Sequence, residues 1–342
     1  MTARKPTVLL TGATGVIGRA LIDDLAADHD IICLRHRKSV GDARVSEFQG
    51  DLGGPTLGLS QAGYQELAGR VDAVVHSAAA TAYKLGPERI RATNVGGTER
   101  MLTFARRAGA PLYYFSTAFV ADPPRDDGSG RFAGVAAYVQ SKIDTEQLVR
   151  DSGQPAVIVR PSLVIGDSRD GHIARFQGFH LGVTAMVRGT VPVMPAEAGA
   201  LIDAIPQDVL ARATGRLIRT GVTTGEFWLT AGTGSVTLGQ IVNVCMEFAV
   251  RMGLTPRRPR LIAGDAVDRL LIPLLDDLVL PDLVTQLRQF TEMMWLFQTP
   301  QVLESSLPAL GESVSAESLL DILWRNLEYW ADQQELLLPA SV

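Results

Sequence analysis

Tyr138 and Lys142 stand four residues apart in Tyr138-Val139-Gln140-Ser141-Lys142, within a stretch whose apolar spacing predicts a helix over Ala136 to Asp151. Residues at i and i+4 project from one helix face, so a phenol and an amine are set side by side. A free tyrosine has a pKa of about 10, and a neighbouring ammonium favours the phenolate by about 1.4 kcal/mol for each tenfold change in the ionisation equilibrium. Such a tyrosine can give a proton to an alkoxide as hydride arrives at a carbonyl carbon, or take one in the reverse direction. Upstream, Tyr114-Phe115-Ser116-Thr117-Ala118-Phe119-Val120 reads as a strand whose end carries hydroxyls. Thr117 there would donate to a carbonyl oxygen, a bond that strengthens as charge develops on that oxygen. Ser116 competes for the role, its plain alternative being a strand-end serine bonded to the backbone.

Hydride needs a carrier, and the start of the chain suits one. The strand Thr7 to Thr11 runs into Thr11-Gly12-Ala13-Thr14-Gly15-Val16-Ile17-Gly18 and then into a helix from Ile17 to Ala27. Glycines at this GxxGxxG spacing allow a tight turn, a close approach to a diphosphate and close packing of helix on sheet, while the helix N-terminus offers free N–H groups. Thr11, Gly12, Thr14, Gly15, Val16, Ile17 and Gly18 are therefore candidate cofactor-binding residues. The second strand ends in Leu34-Arg35-His36-Arg37-Lys38, where an acidic residue would meet a ribose 2′-hydroxyl. Asp30 is at the wrong end of that strand, and the cations suit a 2′-phosphate instead, so NADPH is expected over NADH. Arg35 and Arg37 are not separable at this level.

The remaining strands read as Asp30 to Leu34, Ser46 to Gln49, Ala73 to His76, Leu112 to Ser116 and Ala156 to Arg160, with a further helix over Ile90 to Ala108 stopped by Gly109. Short apolar strands alternating with helices predict an α/β fold, a Rossmann doubly wound parallel sheet covered on both faces. After Gly166 the chain is punctuated by Gly171, Gly178, Gly182, Gly189, Pro192 and Pro195. A helix near Gln207 to Arg219 and a strand at Glu226 to Thr230 read as a return to the sheet. The expected division is a dinucleotide-binding domain over 1–166 joined by 200–232, and a smaller, mostly helical substrate-binding domain over 167–199 and 233–342.

Composition agrees with an enzyme of small molecules. The 342 residues are 46% hydrophobic and 20% charged, enough for a sizeable core, and the net charge of -5 gives no general attraction for nucleic acid. The two cysteines, Cys33 and Cys245, show no metal or disulfide spacing. The five histidines, His29, His36, His76, His172 and His180, show no ligand spacing, so no metal is expected. His76 reads as a structural hydrogen-bonding residue at a strand end, and His172 and His180 as surface loop residues. No secretory signal is read at the N-terminus, and no run approaches the ~20 apolar residues of a membrane span, which predicts a cytoplasmic protein.

Taken together, Gly12-x-x-Gly15-x-x-Gly18, His76-Ser77-Ala78-Ala79, Asn94-Val95-Gly96-Gly97-Thr98, Ser116-Thr117, Tyr138-x-x-x-Lys142 and Arg160-Pro161-Ser162-x-Val164-x-Gly166 resemble an extended short-chain dehydrogenase/reductase. Within that superfamily, Gly50-Asp51-Leu52-Gly53-Gly54-Pro55-Thr56-Leu57-Gly58-Leu59-Ser60 resembles the GDLxxPxLGLS stretch of the fatty acyl-CoA reductase and thioester reductase branch. The stretch Asp203-Ala204-Ile205-Pro206-Gln207-Asp208 is similar to that branch's DxxPxD, with Gln207 where an apolar residue is usual. The resemblance implies Thr117, Tyr138 and Lys142 as the catalytic set. It implies Asp51 and Leu52 beside the adenine, Ser77, Ala78, Ala79 and Asn94 along the cofactor, Lys142 also on the nicotinamide ribose, and Pro161 and Ser162 near the nicotinamide.

The expected activity is NADPH-dependent reduction of an acyl thioester on a carrier protein or coenzyme A, giving aldehyde or alcohol. A ketone or aldehyde reductase would use the same three residues. A nucleotide-sugar epimerase or dehydratase and a non-catalytic dinucleotide sensor are the further alternatives, opposed by the basic end of the second strand and by retention of Tyr138 with Lys142. Arg251, Arg257, Arg258 and Arg260 would meet a CoA phosphate or an acidic carrier protein, or form a solvated face. Leu270, Leu271, Ile272, Leu274, Leu275, Phe290, Met293, Met294, Trp295, Leu296 and Phe297 would line an apolar substrate pocket or pack a core.

Overall fold

The computed structural model describes residues 4–81, 85–123, 133–267, 269, 273 and 291–334. Six strands alternate with helices from the start of the chain: β1 (Thr7–Thr11), α1 (Val16–Leu25), β2 (Asp30–Arg35), β3 (Val45–Gln49), α2 (Gln61–Ala68), β4 (Ala73–His76), α3 (Pro87–Ala108), β5 (Leu112–Phe115), α4 (Ala133–Asp151) and β6 (Ala156–Pro161). They lie in one parallel sheet in the order β6-β5-β4-β1-β2-β3, and a seventh strand, Gly225–Leu229, pairs in parallel with β6 at the edge. Strand order turns back at β1, so β1 and β4 diverge at their C-terminal ends into helices on opposite faces. Ligands bind at such a crevice in open parallel sheets.

Strand composition explains the layering. Successive residues alternate faces, so Tyr113 and Phe115 of β5 enter a cluster with Val8, Leu10, Leu21 and Ile22, whereas Leu112 and Tyr114 enter a second with Leu9, Ile32 and Phe104. Helices α1 and α6 (Gln207–Arg219) cover the first face, and α2 and α3 the second. Gly109 ends α3 in the left-handed region at φ 66°.

The second half builds a third cluster from α5 (Gly178–Val187), α7 (Leu238–Arg251) and the last described helix, Ala316–Gln333. Helix α4 belongs to both parts. Val135, Tyr138 and Val139 pack in this third cluster, whereas Val149 packs under the sheet. The Tyr138–Lys142 segment thus lies where the sheet's C-terminal edge meets the later part of the chain.

The strand boundaries expected from sequence agree to within a residue. His180 is a correction: it is not a surface loop residue but is buried on α5, because its ring packs between Phe176 and Phe179. His172 is exposed, with its ring edge-on to Tyr329. Leu270, Leu271, Ile272, Leu274, Leu275 and Phe290 lie outside the described residues. Arg251, Arg257, Arg258 and Arg260 form an exposed face, Arg251 over the Trp324 ring and Arg258 bonded to Asn243. Among the described residues no helix is long and apolar enough to cross a membrane, and no cluster of His, Cys, Asp or Glu could hold a metal.

Candidate active site

Helix α4 carries Tyr138 and Lys142 on one face, both buried, at 8% and 3% exposure. The Tyr138 hydroxyl is hydrogen-bonded to Thr117, which follows β5 and caps the short helical turn Ala118–Ala121 by accepting from Phe119 N at 3.4 Å. Lys142 Nζ donates to the main-chain oxygen of Phe115 at 2.7 Å and sits 5.0 Å from the centre of the Tyr114 ring. The three sequence candidates therefore converge at the end of β5. Ser116 does not join them: its Oγ is buried with no hydrogen-bond partner among the described residues, while its N–H donates to Val159 O at 2.8 Å.

The electrostatics correct one expectation. The ammonium does not draw the phenol toward neutral pH. Burial pushes Tyr138 up to about 12, and the opposing influence comes from Thr117. Burial also brings Lys142 down to about 7, against a raising influence from Glu146, one helical turn further on. Low-dielectric surroundings disfavour both charged forms at once, and that desolvation outweighs the mutual stabilisation inferred from spacing alone.

Asn94 of α3 fixes the site from behind. Its Oδ1 accepts from Ala80 N at 2.7 Å, and its Nδ2 donates to Ser141 Oγ at 2.9 Å, tying the strand β4 exit loop to α4. His76 bridges Thr11 Oγ1 at 2.7 Å and Thr98 Oγ1 at 3.1 Å. Burial lowers its pKa to about 3, so it serves as a neutral structural link, as read from its position.

The glycine turn has the geometry its spacing requires. Gly12 sits at φ 77°, and a Cβ there would lie 2.7 Å from both Ala78 N and Ser77 Oγ; a Cβ on Gly18 would lie 2.3 Å from Gly12 O. Helix α1 begins after Gly15 with no side-chain cap and no acidic residue in its first turn. Its first N–H groups and the positive end of its dipole fit a diphosphate. Gly12, Ala13, Thr14, Leu34, Arg35, His36, Arg37, Lys38, Gly50, Leu52 and Ala78 surround an open cleft of about 310 Å³. Thr11, Val16 and Gly18 are buried beneath the turn, Ile17 half-buried, and Ser77 donates to Thr11 O at 2.8 Å.

The Gly50–Ser60 stretch is a backbone device. Asp51 N donates to Leu57 O at 2.7 Å, and its carboxylate accepts from Gly53 N at 2.8 Å. Thr56 and Leu57 hold φ of 49° and 57°, a conformation that non-glycine residues adopt at a cost of roughly 1–2 kcal/mol each. Leu57 is thereby driven into the core, Leu52 is left at the cleft wall, and Ser60 caps α2 by accepting from Gly63 N. The Asp203 stretch is a second such device. Its carboxylate accepts from Ala231 N and Gly232 N, both at 2.8 Å, and from Ser235 Oγ at 2.9 Å. Ser162, just past Pro161 at the end of β6, donates its N–H to Leu229 O at 3.1 Å, while its Oγ is buried with no hydrogen-bond partner among the described residues. Gln207 donates to His172 O at 2.9 Å, which accounts for a polar residue at that position.

Four features escaped the sequence reading. Glu47 of β3 pairs with Arg35, Nε to Oε2 at 2.7 Å. Glu146 accepts both Arg160 Nε at 2.8 Å and Nη2 at 2.6 Å. Phe119 meets the ring of Phe297 at 6.3 Å, bringing the segment after residue 290 to the end of β5. Asn326 receives Gly166 N at 2.9 Å from across the molecule. Only Glu146, four residues after Lys142, had a usable signal.

The doubly wound sheet, the glycine turn and the Tyr/Lys pair define an oxidoreductase of the extended short-chain dehydrogenase/reductase class, with a Rossmann dinucleotide-binding site. The family model described as male sterility protein matches residues 38–214, more than half of the chain, and the chain belongs to that NAD-binding family. The terminal R domain of the myxalamid PKS-NRPS pathway is 28% identical, with a TM-score of 0.75, over 99% of this chain and 94% of that one. The highly reducing polyketide synthase calA of Penicillium decumbens is 31% identical over 231 residues, 58% of this chain and 8% of the synthase. The glycine betaine reductase ATRR of Emericella nidulans is 33% identical over 205 residues, 48% of this chain and 16% of that protein. The chain thus aligns with a small part of the polyketide synthase and of the glycine betaine reductase.

Proposed function

We propose that the protein is an NADPH-dependent reductase of acyl thioesters held on a carrier protein or coenzyme A, acting in the cytoplasm and releasing an aldehyde or, after a second reduction, an alcohol. The observation that carries the reading is the Thr117–Tyr138 hydrogen bond, with Lys142 one turn away, at the crevice of a dinucleotide-binding sheet. Family membership and likeness to the myxalamid R domain favour a thioester over a free ketone.

Thr11, Gly12, Thr14, Gly15, Val16, Ile17 and Gly18 would form the diphosphate turn, with Asp51, Leu52, Ser77, Ala78, Ala79 and Asn94 along the nucleoside and ribose. Pro161 and Ser162 would lie near the nicotinamide, and Arg35 and Arg37 near a 2′-phosphate. Residues 1–166 with 200–232 would form the dinucleotide-binding domain, and 167–199 with 233–342 the substrate-binding domain. A bound nicotinamide dinucleotide supplies the hydride. The hydroxyls of Thr117 and Tyr138 hold the carbonyl oxygen and stabilise the charge growing on it. Tyr138 gives its proton to that oxygen, a step its high pKa suits, because the phenol is protonated at neutral pH. Lys142, brought by burial to about 7, stabilises in its protonated form the charge left on the phenol as the proton departs. Collapse of the resulting hemithioacetal breaks the carbon–sulfur bond, leaving the aldehyde and a thiol.

The test is direct. Purified protein with NADPH and an acyl-CoA or acyl-pantetheine thioester should oxidise the cofactor and yield a trappable aldehyde. Turnover confined to free ketones or aldehydes would replace the proposal by simple carbonyl reduction.

A further inference from the structure

The loop after β2 is held by a single carboxylate from the neighbouring strand. Glu47 Oε1 accepts from Ser39 Oγ at 2.8 Å, Val40 N at 3.0 Å and Gly41 N at 3.2 Å, while Oε2 faces Arg35 Nε at 2.7 Å. Val40 is buried, and Arg19 of α1 donates to its main-chain oxygen, so the loop is anchored from below as well. These contacts engage Arg35 through its Nε edge and fix residues 39–41. Arg37 and Lys38 stay exposed at the same cleft, and neither makes a hydrogen bond or ion pair among the described residues. The loop therefore sorts its cations into one held and two free.

We infer that Glu47 is a positioning residue for cofactor choice: it holds Arg35 and the 39–41 loop so that Arg37 and Lys38 are the cations that meet a ribose 2′-phosphate. The inference rests on the NADPH reading above and deepens it. Glu47 touches no cofactor in this scheme. A carboxylate so near a phosphate site would by charge alone weaken NADPH binding, whereas a loop left to wander weakens it by losing preorganisation. The two effects have opposite signs when Glu47 is neutralised, which makes the inference decidable.

The experiment is calorimetric titration of the full chain with NADPH and with NADH, for the parent, Glu47→Gln, Ser39→Ala, Arg35→Ala and Arg37→Ala. Glu47→Gln should lose about tenfold or more in NADPH affinity while NADH affinity stays within about twofold, because loop order matters only to the phosphate. Ser39→Ala should show a smaller loss of the same kind, and Arg37→Ala a larger loss than Arg35→Ala. An unchanged or tighter NADPH affinity in Glu47→Gln, or equal losses for both cofactors, would overturn the inference. Should Glu47→Gln not fold, undiminished NADPH preference in both Ser39→Ala and Arg37→Ala would overturn it equally. A parent that binds both cofactors alike would remove the NADPH reading itself; a discriminating parent with an equally discriminating Glu47→Gln removes this inference alone.

Discussion

Lys142 Nζ donates to the main-chain oxygen of Phe115 at 2.7 Å, and this bond joins the middle of α4 to the last residue of β5. Thr117 stands two residues beyond Phe115, so the same junction that holds the amine sets the hydroxyl that meets Tyr138. Position and protonation are coupled here. Burial that brings the groups together also keeps the phenol protonated and brings Lys142 to about 7. The arrangement suits proton delivery, and the reductive direction needs a proton delivered.

Tyr138→Phe removes the proton and keeps the ring in its apolar setting. Reduction of a thioester should fall by roughly 10²–10⁴-fold, the usual contribution of a positioned acid. Dinucleotide affinity, read by titration of the same preparation, should stay close to that of the parent. Retention of full turnover would remove Tyr138 as the acid.

Lys142 gives a prediction with a sign. Its folded pKa, about 7, lies below the ordinary 10.5, so between those values the unfolded chain binds a proton that the folded chain does not. Stability is then highest above pH 10.5 and declines as pH falls toward 7. Lys142→Met should raise the melting temperature at pH 7, by less at pH 10, while abolishing reduction. An equal gain at both pH values would show that the amine is not held at a depressed pKa.

Much of this was legible in advance because the signals are local. The glycine turn, the strands and the Tyr138–Lys142 pair each depend on residues within a few positions, and their geometry follows from helix and strand periods. The resemblance favours Thr117 over Ser116, while the residues alone leave Ser116 competing, since the choice depends on which hydroxyl reaches α4 in space. The roles of Glu47, Asp203 and Asn326 were hidden for the same reason: each acts on backbone or side chains distant in sequence or on a neighbouring strand. The protonation of Tyr138 was misjudged because spacing reports the partner and says nothing of the desolvation.

Gly12 links fold and binding. A methyl there meets Ala78 N and Ser77 Oγ at 2.7 Å on a backbone already at φ 77°, with no flexible side-chain end to yield on the Ala78 side. Gly12→Ala should lower stability by at least about 1–2 kcal/mol, the cost of a left-handed L residue. Dinucleotide titration should show binding lost or severely weakened. A variant that melts and binds like the parent would contradict the close packing of the turn against the loop after β4.

His180 supplies the acid limit of the fold. Its Nδ1 accepts from Gln177 N at 3.4 Å, and its Nε2 donates to Asn326 Oδ1 at 3.3 Å, a pattern only the neutral ring can satisfy. Burial lowers its pKa to about 4, although the bond to Asn326 acts in the opposite direction. The unfolded chain therefore takes up a proton near pH 6.5 that the folded chain refuses until about 4, and stability must drop across that window as pH falls. The full loss from this one ring is on the order of 3 kcal/mol. Urea unfolding at pH 7.5 and pH 4.5 should show a decline that is smaller in His180→Gln, whose amide does not titrate. Parallel declines in parent and variant would place the acid sensitivity elsewhere and leave the Asn326 contact a neutral packing feature.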